Sequence, residues 1–113
     1  MFLTGYPPED LLLRNDFLNE SERVSKELEN FSKDISVLIG CPTREGKDIF
    51  NSALFFQKGR LVKNYKKQIL PNYKEFDEKR YFSRGDSYEI LEDGGLKFGT
   101  VSYTHLRAHE TCL

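Results

Sequence analysis

No apolar run in this 113-residue sequence approaches the roughly 20 residues that a helix needs to cross a bilayer, so no helical membrane span is expected. The first residues also lack the basic, apolar pattern of a secretory signal, and export is not expected. Cysteine is scarce: Cys41 and Cys112 stand far apart, which provides neither a disulfide framework nor the short spacing of a zinc site. A reducing, cytoplasmic setting is the corresponding expectation. There is no glycine-rich phosphate loop, and Gly94-Gly95 reads only as a tight turn, so nucleotide binding is not expected. No charge of one sign dominates: the net charge is −1, with 31% charged and 38% hydrophobic residues. That composition excludes a disordered chain and fits one small globular domain.

What is present is a helix followed by strands. Residues 1–16 read as a loop, because Tyr6-Pro7-Pro8 suits neither helix nor strand. Residues 19–33 read as a helix with Asn19 as N-cap and Glu22 three residues on; Val24, Leu28 and Phe31 would form its apolar stripe. Residues 35–39 form a short apolar run, a strand expected to end at Gly40-Cys41-Pro42. Residues 49–57 and 60–69 flank Lys58-Gly59, and residues 87–91 and 96–101 flank Glu92-Asp93-Gly94-Gly95; both pairs predict hairpins. The order of elements predicts a layered α/β fold.

The segment from Tyr65 to Gly85, YKKQILPNYKEFDEKRYFSRG, carries the chemistry. Side chains alternate along a strand, so Lys66 and Lys67 point to opposite faces and one of them should turn inward. A buried ammonium requires a carboxylate or a developing negative charge, and Glu75, Asp77 and Glu78 follow within a dozen residues. From Lys58 to Arg80 there are eight Lys/Arg against three Asp/Glu. Without a helix-turn-helix, RNP or zinc-knuckle pattern, that surplus reads as solvated strand lysines, and nucleic acid is not an expected partner. Cys41, before a proline at a strand end, reads as a small packing residue.

Tyr65-Lys66-Lys67-Gln68-Ile69-Leu70 resembles the Tyr-Arg-Lys-x-x-Leu segment of the carbon–nitrogen hydrolase (nitrilase) superfamily. The run through Pro71-Asn72-Tyr73 and Phe76–Phe82, the opening Leu3–Leu12, and Gly46-Lys47-Asp48-x-x-Asn51-Ser52-Ala53 are similar, in order and spacing, to the glutamine-hydrolysing amidase domain of glutamine-dependent NAD synthetases. The resemblance covers residues 1–100. It implies a partial α-β-β-α sandwich of the nitrilase type, with glutamine as substrate and ammonia passed to a separate synthetase domain. It also implies a homo-oligomer for the full protein. ATP and magnesium belong to that synthetase domain, so no cofactor and no metal are implied for this one. In the resembled family a cysteine is the nucleophile, a glutamate the general base and acid, and a lysine lies near the oxyanion. By motif, Lys67 takes the lysine's place. Glu78, in the frame Glu78…Phe82…Gly85, takes that of a second glutamate supporting the triad, and Tyr73 and Phe76 fall where the substrate pocket is lined. A lone strand lysine is ordinarily a solvated one, and a loop carboxylate likewise; only the surrounding motif gives these residues a role.

Two ends depart from the family pattern. The general-base glutamate would fall immediately before Met1, and the nucleophile near position 103, where Tyr103 stands. Residues 101–113, VSYTHLRAHETCL, share nothing with the family and are expected to be a non-native tail on a fragment. A zinc site from His105, His109 and Glu110 is the rival reading of that tail, and Cys112 is not assigned as nucleophile. The rival functions are another amidase or carbamoyl hydrolase of the same superfamily, and a non-catalytic binding module.

Overall fold

The computed structural model describes residues 1–70 and 77–100 of the chain; Tyr73, Phe76 and the predicted tail lie outside the described residues. After the turn at Tyr6-Pro7-Pro8, a short 3-10 helix spans Glu9–Leu13, within what the sequence predicts as loop. Helix α1 spans Asn15–Phe31. Strands β1 (Val37–Glu45), β2 (Asp48–Gln57) and β3 (Arg60–Lys66) form an antiparallel sheet in the order β1-β2-β3. A one-turn helix α2 (Glu78–Tyr81) precedes a separate hairpin, β4 (Ile90–Asp93) with β5 (Leu96–Gly99). Helix and antiparallel strands are thus layered as the sequence predicts.

Strand β2 is central and buried on both faces, which explains its apolar run. Its alternate residues divide the molecule. Leu54 and Phe56 join Cys41 of β1 in a core closed by Leu28 of α1. A second core gathers Leu12, Leu18, Leu70 and Phe82, with Ile49 and Tyr81 against it. The expected helix stripe is corrected at one end: Leu28 is packed, but Phe31 is 66% exposed. The buried line of α1 runs instead through Leu18 and Ser21, and reaches Ser32 just past its end. Phe31 is offset from that line by roughly a quarter turn.

Asn19 is not the N-cap. The helix starts one turn earlier, after Arg14, and the Asp16 carboxylate accepts the Phe17 N–H at 2.9 Å. Asn19 and Glu22 instead bind Arg44 of β1, at 2.7 and 3.1 Å. Strand β1 runs on through Gly40-Cys41-Pro42 to Glu45, past its expected end. Pro42 is tolerated because β1 is a sheet edge, where a missing N–H does not break a central ladder. The β1–β2 hairpin turns on Gly46-Lys47, with Gly46 at φ 59°. The β2–β3 hairpin turns on Lys58-Gly59, as predicted, and both residues have positive φ. In the last hairpin the turn is Gly94-Gly95 alone, and Glu92 and Asp93 belong to β4.

Candidate active site

Strand β3 stops at Lys66, earlier than predicted, but its ladder continues for one residue: the Lys67 N–H donates to the Asn51 carbonyl at 2.8 Å. The two lysines part as strand geometry requires. Lys66 pairs with Ser52 across the ladder, forms an ion pair with Glu45, and holds its ammonium 4.6 Å from the Phe50 ring centroid. Lys67 turns to the opposite face and is 7% exposed.

The chain then returns along the same sheet end. The Ser83 N–H donates to the Ile49 carbonyl at 2.6 Å, and the Gly85 N–H to the Lys67 carbonyl at 2.9 Å. Gly85 lies so close to the Lys66 carbonyl that a Cβ there would clash with backbone. This stitching carries α2 over the end of β2 and β3 and delivers Glu78, 3% exposed, to Lys67.

Lys67 Nζ lies 3.2 Å from Glu78 Oε1, to which it donates a hydrogen bond, and 3.0 Å from Oε2. Oε1 also accepts from the Tyr6 hydroxyl at 2.9 Å and from Asn51 Nδ2 at 3.2 Å. Oε2 is buried and forms no hydrogen bond, although the ammonium is in ion-pair range. Two buried opposite charges persist only when each stabilises the other and further donors complete the carboxylate; Tyr6 and Asn51 are those donors.

Glu78 also lines a concavity of about 270 Å³ between the Tyr6–Asp10 turn and α2, bounded by Pro7, Pro8, Arg80 and Tyr81. Lys67 is not part of its lining. On the rim, the Tyr81 hydroxyl donates to Asp10 Oδ1 at 2.6 Å, and that bond raises the phenol above its ordinary value. Among the described residues, no group of three or more His, Cys, Asp and Glu is placed to hold a metal, and no helix is long and apolar enough to cross a membrane.

Of the four site residues predicted from sequence, Lys67 and Glu78 are brought together; Tyr73 and Phe76 lie outside the described residues, as do His105, His109 and Glu110. Cys41 is 1% exposed and its thiol is pushed up to about 11 by burial, with the terminal amino group opposing, a packing cysteine as expected. Tyr6 and Asn51 were not legible as site residues. Both stand inside the motifs, but only the fold brings them to Glu78. The available signal is a polar amide, followed by Ser52, within the otherwise apolar strand run Ile49–Phe56.

Comparison with known proteins agrees with the resemblance. Residues 1–106 match the family described as carbon-nitrogen hydrolase. The chain is 40% identical over 97 residues to the glutamine-dependent NAD(+) synthetase of Aquifex aeolicus, covering 84% of this chain and 17% of that enzyme. It is 41% identical over 102 residues to that of Xanthomonas campestris, covering 88% and 18%. The solved structure of glutamine-dependent NAD+ synthetase from Acinetobacter baumannii, in complex with ADP, superposes with a TM-score of 0.77 at 38% identity, covering 86% of this chain and 18% of that one. The chain thus spans less than a fifth of the length of these relatives.

Proposed function

The chain belongs to the carbon-nitrogen hydrolase family, and from that premise we propose that it is part of a glutamine-hydrolysing amidase domain supplying ammonia to a synthetase domain that amidates an activated pyridine dinucleotide. The observation that carries this reading is the buried Lys67–Glu78 pair at the motif positions, in a chain about 40% identical to glutamine-dependent NAD synthetases.

An amide is a weak electrophile with a poor leaving group, so a thiolate divides its hydrolysis into two easier steps. The thiolate adds to the carboxamide carbon of glutamine, and the carbonyl electrons move onto oxygen. The oxyanion then re-forms the carbonyl as the C–N bond breaks, with a general acid protonating the departing nitrogen. Water, deprotonated by the same group, releases glutamate from the thioester. In this scheme Lys67 stabilises the oxyanion, a role worth on the order of 3–4 kcal/mol for a preorganised donor in a dry site. Glu78 aims the ammonium and balances its charge. Tyr73 and Phe76 line the glutamine pocket, where an aromatic face and a hydroxyl suit a small polar substrate. This domain takes no cofactor or metal and binds no nucleic acid; ATP and magnesium serve the synthetase domain. The full protein is a cytoplasmic homo-oligomer, and the 113-residue chain alone is inactive.

The test is a hybrid enzyme in which residues 1–100 replace the matching segment of the Acinetobacter baumannii relative. It is expected to release ammonia from glutamine, and Lys67→Met to abolish that release. Hydrolysis of other amides but not glutamine would assign the segment to a sibling amidase. Full glutaminase activity in the Lys67→Met hybrid would overturn the assignment of Lys67.

A further inference from the structure

Asn51 occupies an uncommon position. It lies in the central strand, 8% exposed, where asparagine is disfavoured and a buried amide must find partners. Its two polar ends reach the two members of the charged pair. The backbone carbonyl accepts the Lys67 N–H at 2.8 Å, and the side-chain Nδ2 donates to Glu78 Oε1 at 3.2 Å. Facing a carboxylate, only the NH2 edge of the amide is compatible.

We propose that Asn51 is a positioning residue that sets the Lys67–Glu78 pair from both partners at once, fixing the end of β3 through its backbone and the rotation of the Glu78 carboxylate through its amide. This inference rests on the proposed glutaminase reading. Three donors, from Tyr6, Asn51 and Lys67, converge on Oε1. They hold the carboxylate so that Oε2 stays beside the ammonium without a hydrogen bond of its own. A carboxylate with one saturated oxygen cannot rotate without breaking those bonds. The direction in which Lys67 presents its charge is fixed in turn, and orientation to within a fraction of an ångström is what an oxyanion stabiliser needs. Strand packing alone would be served by any residue of similar size.

Two substitutions in the hybrid enzyme separate positioning from packing. Asn51→Leu keeps the branching and the number of heavy atoms and removes the donor; Asn51→Asp keeps the shape, removes the donor, and sets a carboxyl beside Glu78, Lys67 and the Tyr6 hydroxyl. Both are expected to lower kcat about 10-fold or more, the size of one hydrogen bond to a charged group, with KM for glutamine within about twofold, as for an interaction that matters mainly in the transition state. Only Asn51→Asp is expected to regain activity toward acid pH, where a protonated carboxyl can again donate to Glu78. Its pH–rate profile should therefore move toward acid, and that of Asn51→Leu should not. Unchanged kcat and pH profile in both variants, while Lys67→Met abolishes ammonia release, would overturn the role of Asn51 and leave the glutaminase reading intact. A kcat loss matched by an equal loss of folded protein in thermal melts, with no pH-profile change, would make Asn51 a packing residue only. Retained glutaminase activity in Lys67→Met would overturn the assignment of Lys67 and with it the positioning role of Asn51, whereas an unsubstituted hybrid that releases no ammonia from glutamine would remove the reading itself.

Discussion

At position 67 an ammonium group is held where an unpaired charge would be rejected, and Glu78 beside it makes that burial possible. Removing either partner breaks a buried ion pair, which typically costs about 3–5 kcal/mol. Lys67→Met and Glu78→Leu are therefore each expected to destabilise the protein by that order. The double variant Lys67→Met/Glu78→Leu should be more stable than either single one, because no charge is left buried. Urea unfolding checks this, and a double variant whose loss is the sum of the two singles would refute the coupling. Cys41 gives a pH prediction. Burial raises its thiol from 9.0 to about 11 in the folded protein, so the unfolded chain loses that proton first. The folded state then binds more protons between those values, and stability falls as pH rises from 9 to 11. Cys41→Ala should remove that part of the alkaline decline in melting temperature. Inward lysine and acidic partner were legible from strand alternation and motif. Tyr6 and Asn51 were not, because 72 and 27 residues separate them from Glu78 in sequence.

Elements are held together here by few, specific contacts at their ends. Ser32, buried just past the end of α1, accepts the Gly59 N–H through its Oγ at 3.1 Å, locking the helix to the β2–β3 turn. The segment that returns from α2 is locked at Gly85, where an added Cβ meets the Lys66 carbonyl. Gly85→Ala forces the end of β3 to shift, and overpacking of this kind costs about 1–3 kcal/mol. The expected outcome is a lower melting temperature together with loss of ammonia release in the hybrid enzyme, since Lys67 moves with its backbone. Unaltered activity would show that the close approach has no part in the site. The β2–β3 and β4–β5 hairpins were legible because paired strand runs and Lys58-Gly59 or Gly94-Gly95 mark them locally. The turn at Gly46-Lys47 was not legible because Gly40-Cys41-Pro42 signals a strand end several residues earlier, and only pairing with β2 carries β1 past it. The N-cap was misplaced because a capping signal at Asn19 is outweighed by its tertiary bond to Arg44.

For the molecule as a whole, the described core is divided into two small clusters, while Phe2, Tyr88, Leu96 and Leu13 are each more than two-thirds exposed. Small cores bury too little apolar surface to offset much conformational entropy. The 113-residue chain by itself is expected to unfold over a broad range at modest temperature. A sharp, two-state calorimetric transition above about 60 °C, near the upper end for mesophilic domains, would contradict that. The same preparation is expected to release no ammonia from glutamine, because Cys41 is sealed in the core with a raised thiol. Measurable turnover would overturn the expectation.

The order of helix and strands, two of the hairpins, and the motif that singles out position 67 all rest on local periodicity, turn chemistry and residue spacing, and these are properties a sequence carries by itself. Which donors complete Glu78, and how closely Gly85 must approach Lys66, depend on segments far apart in the chain meeting at one end of a sheet. Only folding decides those contacts, because a buried carboxylate selects its partners by distance in space.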